Sequence, residues 1–293
     1  MKWFLGVAAF GFLGRFSMID LAVAYRIYPE VSKTPAFFST DKFKLSEMCL
    51  HSFQKALGGL RVKVWAILEG CPPDYEALFR ERFGPDELEI LSPSKIGNLA
   101  TFSLQIEILQ RQTEAEFVYF AEDDYFYLPD ALEKMVALMR QNRDVDFVTP
   151  YDHPDSYYTS SRLERHLVKP FGDRYWRTAS STCLTFLTSR EILARTAATL
   201  RTFSQGNMDC PIWLALTQRG ELGNLRVHWH DAFRVKTWLK TLRWGYRTLL
   251  FDRRYRLWTP LPTLATHMES SGLSPLVDWE KNFQAFKSGL QRQ

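Results

Sequence analysis

The chain has 293 residues, 46% hydrophobic and 24% charged, with 15 Gly and 14 Pro. That composition excludes a disordered tail protein, a collagen-like repeat and a small disulfide scaffold, and the length suits one large α/β unit or two modest cores sharing an interface. The formal charge of +4 is too small to argue for a nucleic-acid partner, and none is expected. Aromatic residues make up 15%, with nine Trp, so either the core is aromatic-rich or rings are set out to stack on sugars. The four cysteines form no C-x-x-C pair and have no His at zinc-finger spacing, which reads as reduced, buried thiols.

Met1 to Gly14 is a lysine-led apolar run, shorter than the roughly 20 residues that cross a bilayer. No small-x-small cleavage site follows it. Residues 1–17 therefore read as an upstream mis-start before Met18 or as an apolar contact with a membrane, and the protein as cytoplasmic or peripheral on the membrane's inner face. Leu21 to Tyr25 is a buried strand, and Lys44 to Leu57 a helix with Leu45, Met48, Cys49, Phe53 and Leu57 on one face, stopped by Gly58-Gly59. Val62 to Leu68 is a second strand, Asp74 to Phe83 a short helix, Leu88 to Leu91 a third strand and Asn98 to Arg111 another amphipathic helix. Phe117 to Ala121 is a fourth strand that runs straight into Glu122-Asp123-Asp124. Pro129 to Gln141 resumes as a helix and Asp146 to Thr149 as a strand.

Alternating strands and helices predict an α/β, mostly parallel, doubly wound sheet with helices on both faces, and ligands bind such sheets outside the carboxyl ends of the strands. Beyond residue 150 the pattern loosens. Residues 151 to 178 read as a long functional loop, Thr182 to Leu187 as a strand, Ser189 to Leu200 as a helix capped by Ser189, and Pro211 to Gln218 as a helix preceded by Asp209. The expected division, after the apolar extension 1–17, is a regular β/α half, 18–150, and a less regular half, 151–293.

Three consecutive carboxylates at the end of a buried strand are costly unless solvated or neutralised by a cation. Oxygen ligands at this density suit Mg²⁺ or Mn²⁺, with the remaining positions left to water and phosphate oxygens; the alternative is a solvated acidic turn. A metal there would bridge a diphosphate and take up charge as it leaves.

The β/α alternation over 21–121, the Gly97-Asn98 turn ahead of a helix and the EDD variant of the D-x-D motif together resemble the GT-A class of nucleotide-sugar glycosyltransferases, in a family 2-like form. The likeness covers the first 150 residues well and the rest loosely. It implies Asp124 as a direct metal ligand, with Glu122 and Asp123 touching the ribose or reaching the metal through water. Tyr25, Arg26 and the segment Lys95 to Asn98 would line the nucleotide-diphosphate sugar. It also implies a late His as a further ligand: His267, beside Ser270, Ser271 and Gly272 in what reads as a mobile loop, or else His228 or His230. An inverting transfer needs a base for the acceptor hydroxyl. Asp209 is the first choice and Asp152, beside His153, the second; the plainer role of Asp209 is a helix cap.

Arg226 to Arg256 holds nine Lys or Arg against two acids, a local charge of +7, interleaved with Trp, Leu, Phe and Tyr. That pattern fits an anionic membrane surface, or a helix that packs on the domain and solvates its basic face. The expected activity is metal-dependent transfer of a sugar from a nucleotide-diphosphate donor to a saccharide or lipid-linked hydroxyl, with Trp176, Trp213 and Trp258 available for stacking. The competing readings are another nucleotidyl- or phosphoryl-transfer enzyme and a non-catalytic saccharide-binding protein on the same fold.

Overall fold

The computed structural model describes residues 19–31, 34–158, 166–218 and 232–290. The apolar extension and the His228/His230 pair therefore lie outside the described residues. The first half forms in the predicted order: β1 (Leu21–Ile27), α1 (Lys42–Ala56), β2 (Val62–Leu68), α2 (Asp74–Arg80), β3 (Leu88–Leu91), α3 (Asn98–Arg111), β4 (Phe117–Glu122), β5 (Tyr125–Tyr127), α4 (Ala131–Gln141) and β6 (Phe147–Val148). The second half adds α5 (Asp155–Tyr158), β7 (Val168–Phe171), β8 (Arg174–Ala179), β9 (Phe186–Ser189), α6 (Arg190–Leu200), α7 (Asp209–Thr217), α8 (Ala232–Phe251), β10 (Leu257–Leu261), β11 (Ala265–His267) and α9 (Trp279–Leu290).

The main sheet has nine strands in the order β3-β2-β1-β4-β9-β6-β10-β8-β7. Its first four are parallel, as the crossovers through α1, α2 and α3 require. The other side is mixed, because β9 enters antiparallel between β4 and β6, and β10 pairs antiparallel with β8. The sheet thus continues through residue 150, and the second half of the chain completes it.

Period-two alternation sorts β1 onto two cores. Leu21, Val23 and Tyr25 pack under α1, α2 and α4, while Ala22 and Ala24 pack against α3, α6 and α7. A third cluster, around Phe126, Met268, Trp279 and Phe283, joins α9 to α1 and β5. The aromatic excess goes into these cores. Trp176, Trp213 and Trp258 are each 1% exposed or less, so none is available for sugar stacking. All four cysteines are free thiols.

Candidate active site at the carboxyl ends of β1 and β4

Parallel register sets Arg26 opposite Glu122. Both side chains turn towards α3, and the Arg26 guanidinium donates to Glu122 Oε1 and, at 2.6 Å, to Asn98 Oδ1. Thr185 Oγ1 donates to the other Glu122 oxygen at 2.9 Å. Arg26 is thus held by a carboxylate and a helix-start amide, which fixes its guanidinium at the carboxyl ends of β1 and β4. Gly97 caps α3 at φ +86°, a left-handed turn that favours glycine, and its N–H donates to the buried Glu69 carboxylate at the end of β2. Ile96 and Leu99 stay exposed on this rim, as does Lys95, which pairs with Glu30 at 3.4 Å. Tyr25 faces the opposite way. Its ring is fully buried against Phe53 and Phe79, so it cannot line a nucleotide.

The same alternation separates the acidic triplet. Asp123 turns away from Glu122, into the α1 side, where Lys42 Nζ lies at 2.8 Å and Ser46 Oγ donates at 2.9 Å. Burial opposes the Lys42 charge, but the Asp123 and Asp124 carboxylates outweigh it and hold the amine above the usual lysine range. Asp123 therefore ties down the start of α1, and the expectation that it reaches ribose or metal does not fit its position.

Asp124 ends the two-residue turn between β4 and β5. Its carbonyl accepts from Met268 N–H at 2.8 Å, and β11 pairs with β5 so that His267 sits opposite Tyr125. This pairing brings His267 Nε2 to 3.1 Å from Asp124 Oδ2. Burial would raise the Asp124 pKa, but His267, Lys42 and Arg26 together hold it down at about 2. Asp124 Oδ1 is buried and has no hydrogen-bond partner. A partly exposed carboxylate with one buried, unsatisfied oxygen beside an imidazole is a donor set that a hard divalent cation fits. Among the described residues no group of three or more His, Cys, Asp or Glu gathers to hold a metal alone, so a cation here would need ligands from water and substrate.

The His267 ring is oriented by its neighbours. Glu269 N–H donates to Nδ1 at 3.2 Å, which places the proton on Nε2, towards Asp124. Ligation through Nε2 would require that proton to move to Nδ1, which would exchange the bond from Glu269 N–H for the Glu269 carboxylate, 4.0 Å away. The following Ser270–Gly272 segment is a 3₁₀ turn, anchored where Tyr151 O–H donates to the Gly272 carbonyl at 2.6 Å and Ser270 N–H to Thr34. The segment expected as a mobile loop is tethered by these bonds.

Asp209 is the first residue of α7 and accepts from Cys210 N–H at 2.7 Å. Burial raises its pKa, the Glu122 charge pushes the same way, and His153 opposes both. Burial lowers the pKa of His153, whose ring lies 5.2 Å from Tyr151. The field of His267 also reaches it, so Glu122, His153, His267 and Asp209 sense one another electrostatically.

Asp152 is occupied elsewhere. Arg177 Nη2 donates to one of its oxygens at 2.5 Å, Tyr157 O–H donates to the other, and the residue is 1% exposed. Its carboxylate is sealed from solvent inside a buried ion pair, out of reach of an acceptor hydroxyl, and it serves to fasten β8 to the 151–158 segment. Breaking such a pair by removing one charge costs about 3–5 kcal/mol. Asp152→Asn is accordingly expected to lower the melting temperature sharply while the turnover of the protein that remains folded is unchanged. Thermal denaturation and active-site-normalised kinetics check this.

Sequence reasoning missed Glu69, Lys42, Thr185 and Glu269. Glu69 carried the same signal as the triplet, an acid directly after an apolar strand. The other three sit at the site only through long-range packing.

No family profile matches the chain, and no curated protein matches it. Solved structures do align with it. One is TarS 1-349 of S. aureus, solved with UDP-GlcNAc, at 12% identity and TM-score 0.40, covering 61% of this chain and 48% of that one. Another is glucosyl-3-phosphoglycerate synthase of Mycobacterium tuberculosis, solved with Mn²⁺, UDP and glucosyl-3-phosphoglycerate, at 12% identity and TM-score 0.42, covering 78% and 81%. A third, CMP:2-keto-3-deoxy-manno-octonic acid synthetase with CTP, aligns at 12% identity and TM-score 0.41 over 94% of this chain and 100% of its own. The region matched in TarS is thus about half of that chain's length. At this level of likeness the α/β assignment rests on the chain's own strand order and register.

Proposed function

We propose that this chain is a metal-dependent glycosyltransferase of the GT-A type, moving a sugar from a nucleotide-diphosphate donor to the hydroxyl of a saccharide or lipid-linked acceptor. The observation that carries the reading is the Asp124–His267 pair: a partly exposed carboxylate whose buried Oδ1 has no hydrogen-bond partner, 3.1 Å from an imidazole, at the carboxyl end of a central strand. Asp124 and His267 would hold Mn²⁺ or Mg²⁺, and the bound metal would supply charge neutralisation for the departing diphosphate.

The chain's own residues account for the remaining steps. Arg26, fixed by Glu122 and Asn98, places positive charge near the phosphates. Glu122, held from both sides, offers a rigid edge for a ribose hydroxyl. Asp209 is the base: burial lifts its pKa above the ordinary carboxylate value, which makes the ionised carboxylate a stronger proton acceptor.

Isothermal titration of UDP and of GDP, with and without Mn²⁺, tests the reading. Metal-dependent binding of one nucleotide is expected; heat-silent titrations of both under both conditions would refute it. A donor screen read by mass spectrometry then names the sugar.

A further inference from the structure

Helix α8 packs inside out. The side it turns to α7 is small and polar, with Thr237, Thr241, Gly245 and Thr248 buried. A Cβ built on Gly245 would lie 2.5 Å from the Ala215 side chain, so the two helices approach closely through that glycine. The opposite side carries Leu239, Leu242, Tyr246 and Leu250, which at 3.6 residues per turn form one stripe. Leu239 is 55% exposed, Leu250 71% and the adjoining Phe251 81%, far beyond what scattered surface leucines require. Directly beside this stripe runs a second, of Lys236, Lys240, Arg243 and Arg247, and α8 contains no acidic residue at all. Among the described residues no carboxylate pairs with any of these four cations.

We propose that this outward face of α8 seats on an anionic lipid surface, with the apolar stripe at the level of the acyl boundary and the basic stripe reaching the headgroups. Charge complementarity selects this occupant. An isologous contact with a second copy of the chain would bring two like-charged basic stripes together, whereas an anionic bilayer satisfies both stripes at once. The helix is an interfacial one, because no described helix is long and apolar enough to cross a membrane. Lys240 Nζ also donates to the Gly206 carbonyl at 2.5 Å, so the seated face adjoins the loop leading to Asp209. The proposal stands apart from sugar transfer, since it requires neither donor nor metal.

Flotation of the full chain with phosphatidylcholine vesicles, with and without anionic phosphatidylglycerol, tests it. Binding to the anionic vesicles alone, weakened by salt, is expected. The variant Leu239→Glu/Tyr246→Glu/Leu250→Glu should abolish it. The variant Lys236→Gln/Arg243→Gln/Arg247→Gln should weaken partitioning about a hundredfold, at about fivefold per charge removed. All six positions lie on the outward side, and circular dichroism checks that both variants keep the fold. Failure to bind either vesicle, or unchanged binding by both variants, overturns the proposal. So does a dimer in analytical ultracentrifugation that the leucine variant dissociates while the wild type ignores vesicles.

Discussion

Asp124→Ala is expected to abolish Mn²⁺-dependent nucleotide binding and to lower kcat/KM by about a thousandfold or more. The metal site proposed here has only two protein ligands, so removing one leaves an imidazole, and a lone imidazole does not hold a hard cation against water. The charge neutralisation lost is worth several kcal/mol at the transition state, about 4 kcal/mol for a thousandfold. His267→Ala removes the other ligand and should act in the same direction. The pair also contributes to stability without metal. The Asp124 carboxyl is depressed from 3.8 to about 2 in the folded protein. Because the folded value lies below the unfolded one, its contribution is fully present above pH 3.8 and is lost as the pH falls through about 2. The size is about 2 kcal/mol, from roughly 1.4 kcal/mol per pKa unit. Asp124→Asn should therefore lose about that much stability at pH 7 and much less below pH 3. Mn²⁺ with nucleotide should raise the melting temperature of the wild type and leave the variant's unmoved. A variant that keeps metal-dependent nucleotide binding would remove Asp124 from the metal site.

The acidic triplet was legible because an apolar strand followed by three acids has few structural explanations. Which carboxylate does what followed from strand alternation: Glu122 pairs with Arg26, and Asp123 meets Lys42 on the other face. Alternation was equally readable for Tyr25 and Arg26, whose assignment to one lining fails for the same reason. The second half was less legible, since its strands pair with partners far away in sequence. β11 is three residues long and has no periodicity of its own; only its pairing with β5 carries His267 to Asp124. The β7–β8 hairpin left a local trace that the loop reading passed over. Phe171 and Arg174 pair across Gly172-Asp173, and Gly172 has φ +61°, the glycine-first turn of a tight hairpin. The tryptophans mislead for another reason, because composition counts rings without saying whether a core already needs them. In α8 the basic and aromatic content was plain, but which face turned outward depended on Gly245 meeting Ala215.

Asp209→Asn is expected to lower kcat by about 10²–10⁴-fold, the usual weight of a positioned base, while donor and metal binding survive. The asparagine keeps an oxygen that can accept the Cys210 N–H, so the first turn of α7 loses little, and the change is confined to proton affinity. The pH profile separates a base from a mere cap. Burial raises the Asp209 pKa above the ordinary carboxylate value, so wild-type kcat should fall on the acid side as that carboxylate protonates, at a pH above the usual range for an aspartate. The variant, having no such group, should show a flat acid limb at its low residual rate. His153 tunes the position of that limb: any positive charge it carries lowers the Asp209 pKa, so His153→Gln should shift the limb to higher pH without abolishing turnover. Steady-state kinetics carried from neutral pH down through the acid limb, with titration calorimetry for donor affinity, measure all three effects. An Asp209→Asn enzyme with wild-type kcat and an intact acid limb would transfer the role of base to another residue.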